Sequence, residues 1–335
     1  MKIAFVLYPG VIVSNKSNGI RSQAESWARI LVRLGHQVDL VNNWGDYNWS
    51  EYDAIHFFGA GDWVCNVAQS LSSKNQKLFF SPIIDYSPNN VWRDILQYIK
   101  GRTKQTRFFK QCQSMTKVLA RSEAEKELFC KGYGISVEKV AIVPLSFTEK
   151  YESIPFVNDK RENICLHISS LSQPRKNVLR LIEAAKKYNF ELFLAGNPGT
   201  DAERKELEKS IGDNPKIHIL GYISEEEKVS LYQRAKVFAL PSVCEGVGIV
   251  ALDAALLGCE IVITNIPGPK EYYKSCCIEV DPYDVDSIGK GIMQFLGGEK
   301  SYQPQLMKMV REKYSPVKIA NELNMVYTNI VKAYQ

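Results

Sequence analysis

Short apolar runs punctuate the chain, each bounded by turn residues and separated from the next by a stretch with helical or polar character. In the first half they are Lys2 to Leu7, Val38 to Val41, Ala54 to Phe58, Lys77 to Pro82, Lys117 to Ala120 and Ala141 to Val143. In the second half they are Ile164 to Ile168, Glu191 to Ala195, Ile217 to Leu220, Val237 to Leu240, Glu260 to Thr264 and Cys277 to Val280. Runs this short and this continuously apolar predict strands covered on both faces, as in parallel sheets. Ala24, Trp27, Ala28 and Leu31 recur at helical spacing and predict a helix from about Gly19 to Leu34. Further helices are expected over Val178 to Tyr188, Ser287 to Leu296 and Pro316 to Tyr334. Thr148 to Asn163 is polar, contains Pro155 and ends in a charged cluster, so it reads as a linker. The pattern predicts an α/β chain of two doubly wound, Rossmann-like domains, residues 1–150 and 160–315, with a helical segment 316–335 behind them.

Composition agrees with that picture and removes several function classes. A length of 335 residues suggests about two domains, and 45% hydrophobic with 24% charged residues is ordinary for a soluble globular protein. No run approaches the roughly 18 apolar residues of a spanning helix, and the first 13 residues, broken by Pro9-Gly10, read as a first strand rather than a signal peptide. The eight cysteines lack any C-x-x-C spacing and fit reduced thiols, so a cytoplasmic location is expected. A net charge of only +5 does not suggest a nucleic-acid partner. His36, His56, His167 and His218 show no metal-ligand spacing, and Asp284-Val285-Asp286 reads as the cap of the following helix. Gly59-Ala60-Gly61 follows a strand, but Val64 stands where a dinucleotide fingerprint needs its third small residue.

The most informative stretch follows the strand Val237 to Leu240, where Pro241-Ser242-Val243-Cys244-Glu245-Gly246-Val247-Gly248-Ile249 leads into an apolar helix ending beyond Asp253. A strand ending in an acid and two glycines before a helix presents unpaired N–H groups and the positive end of the helix dipole. Gly246 and Gly248 let an anion approach the backbone without a Cβ in the way, and the amides from Gly246 to Ile249 are the expected donors. A second loop, Ser169-Ser170-Leu171-Ser172-Gln173-Pro174-Arg175-Lys176-Asn177, joins a strand to a helix and carries two cations. Read on its own it is a solvated basic turn or a phosphate grip.

The block from Val237 to Glu271, with Pro-Ser-x-x-Glu-Gly-x-Gly and an acid eight residues after Glu245, resembles the donor-site signature of retaining glycosyltransferases of family 4. That resemblance implies the GT-B fold, with two Rossmann-like domains facing across a cleft and the C-terminal helix crossing back to the first. It implies an enzyme that moves a hexose-type sugar from a nucleotide-sugar donor, UDP- or GDP-linked, to a hydroxyl of a glycan or lipid-linked acceptor with retention. Neither metal nor cofactor is implied. Glu245 would lie beside the donor sugar and Asp253, in place of the family's glutamate, on the ribose. Lys176 matches the family's phosphate-binding lysine; Ser170 stands where an arginine is usual, and Arg175 is its stand-in. Gly19, after Asn18, resembles the glycine that closes on the diphosphate from the first domain, and Tyr222, after Gly221, falls where the chain lies against the base. His56, at a strand leading to the cleft, and Asp85, at the place of a family histidine, are the acceptor-side candidates.

From Val91 to Lys117 seven basic residues interleave with Trp92, Tyr98, Phe108 and Phe109. Such a face suits peripheral contact with the inner, anionic face of a membrane, and equally a solvated helix pair whose aromatics are core. Two alternatives to the transferase stay open: a GT-B sugar-nucleotide epimerase, and a catalytically silent nucleotide-sugar-binding partner subunit.

Overall fold

A computed structural model describes residues 1–8, 10, 19–42, 44–84, 106–156, 161–273 and 275–334. The chain packs as two compact units, Met1–Leu145 with Pro316–Gln335, and Ser146–Ser315.

In the first unit the described elements run β1 (Lys2–Leu7), α1 (Gly19–Arg33), β2 (Gln37–Leu40), β3 (Ala54–Phe58), α2 (Asp62–Ser72), β4 (Leu78–Ser81), α3 (Arg107–Gln113), β5 (Lys117–Ala120), α4 (Glu123–Glu127) and β6 (Val140–Ile142). The strands form one parallel sheet in the order β2-β1-β3-β4-β5-β6. Every residue of β3 and β4 is buried, which is why their sequences are continuous runs with no polar alternation. The apolar stripe of α1, centred on Ala24, Trp27, Ala28 and Leu31, is buried as its spacing requires.

The second unit continues with β7 (Glu162–Ile168), α5 (Val178–Tyr188), β8 (Glu191–Ala195), α6 (Asp201–Ile211), β9 (Ile217–Gly221), α7 (Glu225–Arg234), β10 (Ala235–Leu240), α8 (Ile249–Leu256), β11 (Glu260–Thr264), α9 (Pro269–Tyr273), β12 (Ile278–Val280), α10 (Val285–Leu296) and α11 (Gln305–Tyr314). Its parallel sheet has the order β12-β11-β10-β7-β8-β9. From β7 the chain winds one way along the sheet, through α5 to β8; from β10 it winds the other way, through α8 to β11. Right-handed crossovers put those two helices on opposite faces. In agreement, α5, α6 and α10 share one apolar core, whereas α8 packs on α11. The strand order therefore reverses between β7 and β10, the position where open α/β sheets bind ligands at the carboxyl ends of their strands.

All of the strands expected from the apolar runs form, with ends shifted by one or two residues. The segment expected to be a linker is held more firmly than its polarity suggested. Tyr151 is 1% exposed and donates to Glu225 at 2.6 Å, while Thr148 binds Asp253, so residues 148–151 are part of the second unit. A last helix, α12 (Pro316–Ala333), belongs to the first unit and packs along α1 with Ile319, Ala320, Leu323 and Tyr327 fully buried.

Candidate functional site

Two loops meet at the strand reversal of the second unit. The loop after β7 makes a short turn over Pro174–Lys176, and the loop after β10 lies against it, with the Val243 amide donating to the Arg175 carbonyl at 2.9 Å. Across this seam Lys176 Nζ reaches Glu245 Oε2 at 2.5 Å, and both side chains are largely enclosed, 12% and 9% exposed. The Ser242 hydroxyl donates to the same carboxylate oxygen at 3.3 Å. Arg175 lies beside the pair, its Nε on Gln173 Oε1 at 2.9 Å and its Nη1 on the Cys244 carbonyl at 3.5 Å.

Asn177 fixes the seam. It is buried in the left-handed conformation (φ 61°, ψ 31°), which asparagine tolerates better than most residues, and so turns the chain directly into α5. Its Nδ2 donates to the carbonyls of Pro241 at 2.9 Å and Pro282 at 2.6 Å, tying together the loops after β7, β10 and β12. Its Oδ1 accepts from Arg180 at 2.9 Å.

Below the loops, His167, one residue before the end of β7, has no exposed surface. Its Nδ1 lies 2.8 Å from the Ala239 carbonyl and its Nε2 2.7 Å from the Ser169 hydroxyl. A carbonyl only accepts, so Nδ1 carries the proton; burial keeps the ring neutral, its pKa pushed down to about 4, and nearby Lys176 acts in the same direction. Nε2 therefore accepts, and the Ser169 hydroxyl donates to it. Next to Ser169 the chain needs glycine: Gly196 has φ +117°, and a Cβ there would lie 1.9 Å from the Ser169 carbonyl oxygen.

The start of α8 lies beside Glu245, a Cβ at Gly248 coming 3.8 Å from Glu245 Cγ. Ala251 and Leu252 bond back to the Gly248 carbonyl at 2.8 and 3.4 Å, so the Ile249 and Val250 amides precede the first intrahelical bond. The N-cap of α8, Gly248, offers no side chain to cap the helix. Gly248 takes φ +78°, and a Cβ there would come within 2.7 Å of Leu240 Cδ2, so its conformation and its space both require glycine. Gly246 and Val247 are buried in the same turn. Thus one cation, one carboxylate and the positive end of a helix converge at the strand reversal, an arrangement able to hold a phosphate group and a hydroxyl-bearing group side by side.

The other expected residues lie in different surroundings. Asp253 is 1% exposed on α8, and its two oxygens accept from the Thr148 amide at 2.7 Å and the Thr148 hydroxyl at 2.8 Å. Ser170 is half-buried, its carbonyl accepting from Gln173. Tyr222 is 78% exposed just ahead of the Ser224–Glu227 capping box that starts α7. Gly19 is exposed at the first turn of α1, with open space where a Cβ would stand. His56 is fully buried in β3, its Nδ1 2.6 Å from the Tyr327 hydroxyl and its Nε2 2.8 Å from the Ser81 hydroxyl; burial pushes its pKa down to about 3. Asp85 lies outside the described residues, as do 91–105 of the basic segment. Within its described part, Phe108 is core, its ring tilted against Phe129 and T-shaped against Tyr133. Asp284 caps α10, accepting from the Asp286 amide at 2.8 Å.

Among the described residues no His/Cys/Asp/Glu group is arranged to hold a metal ion, and no helix is long and apolar enough to cross a membrane. A cavity of about 520 Å³ lies between α5 and α6, lined by Leu171, Pro174, Val178, Glu183, Glu206 and Leu207 among others; neither Lys176 nor Glu245 lines it. Sequence reasoning missed the roles of Asn177, His167 and Ser242. For Asn177 a signal existed, an asparagine between a cationic turn and a helix; His167 carried none beyond its place at a strand end.

Residues 150–312 match the family Glycosyl transferases group 1. Over its whole length the chain is also similar to a solved structure from Anabaena, described as a complex with UDP and glucose, with a TM-score of 0.73, 16% identity, and coverage of 98% of this chain and 100% of that one. The chain has the GT-B fold. Among curated relatives, an uncharacterized glycosyltransferase of Methanocaldococcus jannaschii is 30% identical over 242 residues, 65% of this chain and 60% of that protein. The O-antigen chain mannosyltransferase B of Escherichia coli is 30% identical over 143 residues, 40% of this chain and 37% of that protein. The match thus spans about 60% of the first relative's length and under half of the second's. Both the family match and the Lys176–Glu245 seam fall in the second GT-B unit.

Proposed function

We propose that this GT-B chain is a glycosyltransferase that moves a sugar from a UDP- or GDP-linked donor to a hydroxyl of a glycan or lipid-linked saccharide, with retention of configuration and without a metal or cofactor. The observation that carries the reading is the convergence of Lys176, Glu245 and the α8 N-terminus at the strand reversal of the second unit. A nucleotide sugar has two parts for such a site. Its diphosphate gains charge as the glycosidic bond breaks, and preorganised N–H groups and a cation stabilise that charge by several kcal/mol, on the order of 3 per well-placed donor. The Ile249 and Val250 amides, Lys176 and the neighbouring Arg175 supply them. The sugar hydroxyls are donors, and Glu245 accepts from them, orienting the ring so that the acceptor oxygen attacks from the face the diphosphate leaves. A solved structure from Anabaena described as a complex with UDP-glucose, and relatives described as O-antigen mannosyltransferases, support the same donor and acceptor classes.

The test combines binding and turnover. Thermal-shift titration with UDP, GDP and ADP should raise the melting temperature with one of them, and Lys176→Ala should remove that shift while leaving the circular dichroism spectrum unchanged. Lys176→Ala and Glu245→Ala should each cut sugar transfer by roughly 10² or more. Turnover near the wild-type value in both variants would rule the reading out.

A further inference from the structure

We infer that Lys176 and Glu245 act as an exchange pair that makes the site prefer the intact nucleotide sugar over the free nucleoside diphosphate; this rests on the proposed donor site. Lys176 Nζ and Glu245 Oε2 are paired at 2.5 Å and both side chains are about nine-tenths enclosed, so each is the other's main counter-charge in a poorly solvated place. A ligand that takes only one partner leaves the other buried and uncompensated, which is strongly unfavourable. A free nucleoside diphosphate is such a ligand. Its phosphates draw Lys176 away, and it brings nothing to Glu245 except like charge; among the described residues the Ser242 hydroxyl at 3.3 Å is the one donor left on that carboxylate oxygen.

A nucleotide sugar satisfies both at once. The diphosphate replaces Glu245 on Lys176, and the sugar hydroxyls replace Lys176 on Glu245. The rest of the seam resists adjustment that would relieve the penalty: Asn177 is bonded to the Pro241 and Pro282 carbonyls, and Val243 to Arg175. Glu245 is then a specificity-determining residue that works against product retention. Once the sugar has left for the acceptor, the carboxylate competes with the remaining diphosphate for Lys176 and favours its release.

The experiment measures binding by calorimetry, without acceptor, of whichever of UDP, GDP and ADP gives a thermal shift, and of its glucose or mannose conjugate. In the wild-type protein the conjugate should bind about tenfold or more tightly than the free diphosphate, equivalent to ~1.4 kcal/mol. In Glu245→Gln, which removes the charge but keeps shape and hydrogen bonding, the diphosphate should bind about tenfold more tightly than to wild type, and the preference for the conjugate should collapse. Diphosphate affinity unchanged or weakened in Glu245→Gln overturns the exchange. If that variant does not fold, the wild-type ratio decides alone: a free diphosphate that binds as tightly as its conjugate overturns the proposal. Absence of binding by every nucleotide and conjugate to the wild-type protein is a different outcome, which defeats the donor-site reading beneath it.

Discussion

At the scale of single residues, Asn177 is the side chain on which the geometry of the seam turns. Its amide satisfies two carbonyls that belong to other loops, and its backbone adopts a conformation that costs most residues about 1 kcal/mol. Asn177→Ala removes both donors, leaves the buried carbonyls of Pro241 and Pro282 without them and adds backbone strain; the expected loss is about 3 kcal/mol of stability. Urea unfolding measures it. Asn177→Gly relieves the strain without restoring the amide, so it should recover only about 1 kcal/mol of that loss. Recovery to the wild-type value would mean that the backbone conformation matters and the three-loop tie does not. Because the tie positions the Lys176 turn, both variants should also weaken nucleoside diphosphate binding.

Among elements, α8 carries a charge at an expensive place. Asp253 is buried and burial pushes its pKa up to about 6 from 3.8, against the opposing pull of the Thr148 amide and hydroxyl and of Lys228. With the folded value above the unfolded one, the favourable contribution is fully present below about pH 3.8 and is lost as pH rises through about 6, a difference of roughly 3 kcal/mol. His56 and His167 work in the opposite sense, since their lowered pKa values cost stability as pH falls below the unfolded histidine value. Comparing Asp253→Asn with wild type at each pH separates the two effects. The variant keeps an acceptor for the Thr148 amide and a donor for its hydroxyl, so it should match wild type near pH 4 and exceed it by up to about 3 kcal/mol at pH 7.5. A gap that does not change with pH would exclude this account. The same helix shows what a sequence reveals. Its glycine-flanked start was legible because an apolar run, an acid and two glycines each constrain the backbone locally, and β7, β8, β10 and β11 were legible because a strand covered on both faces is largely apolar. The Asp253–Thr148 bond was not, since residues 105 positions apart meet only through the fold, and the eight-residue spacing from Glu245 suggested a ligand contact instead. Asn177 and His167 escaped for the same reason, their partners being main-chain carbonyls far away in sequence.

For the whole molecule, the notable feature is that the first unit is discontinuous in sequence and is completed by α12. Ile319, Ala320, Leu323 and Tyr327 of that helix have no exposed surface, and the Tyr327 hydroxyl bonds His56 in the middle of the sheet. Burying the Ile319, Leu323 and Tyr327 side chains stabilises by roughly 1.5–3 kcal/mol each, and the Ala320 methyl adds about 0.8, so together they contribute an amount comparable to the ~5–15 kcal/mol stability of a domain. Removing residues 316–335 should therefore unfold or loosen the first unit and leave the second, which has its own core, largely intact. Limited proteolysis should then cut within 1–145 first, and a nucleoside diphosphate at ~100 times its dissociation constant should still add about 2.7 kcal/mol to the remaining transition. Tyr327→Phe is the milder form of the same experiment. It keeps the ring and removes one hydroxyl, leaving His56 Nδ1 buried without that partner, for an expected cost of about 1–3 kcal/mol confined to the first unit. If the truncated chain instead melts in one transition at the wild-type temperature, α12 is dispensable to the first unit and the buried His56–Tyr327 bond contributes nothing measurable.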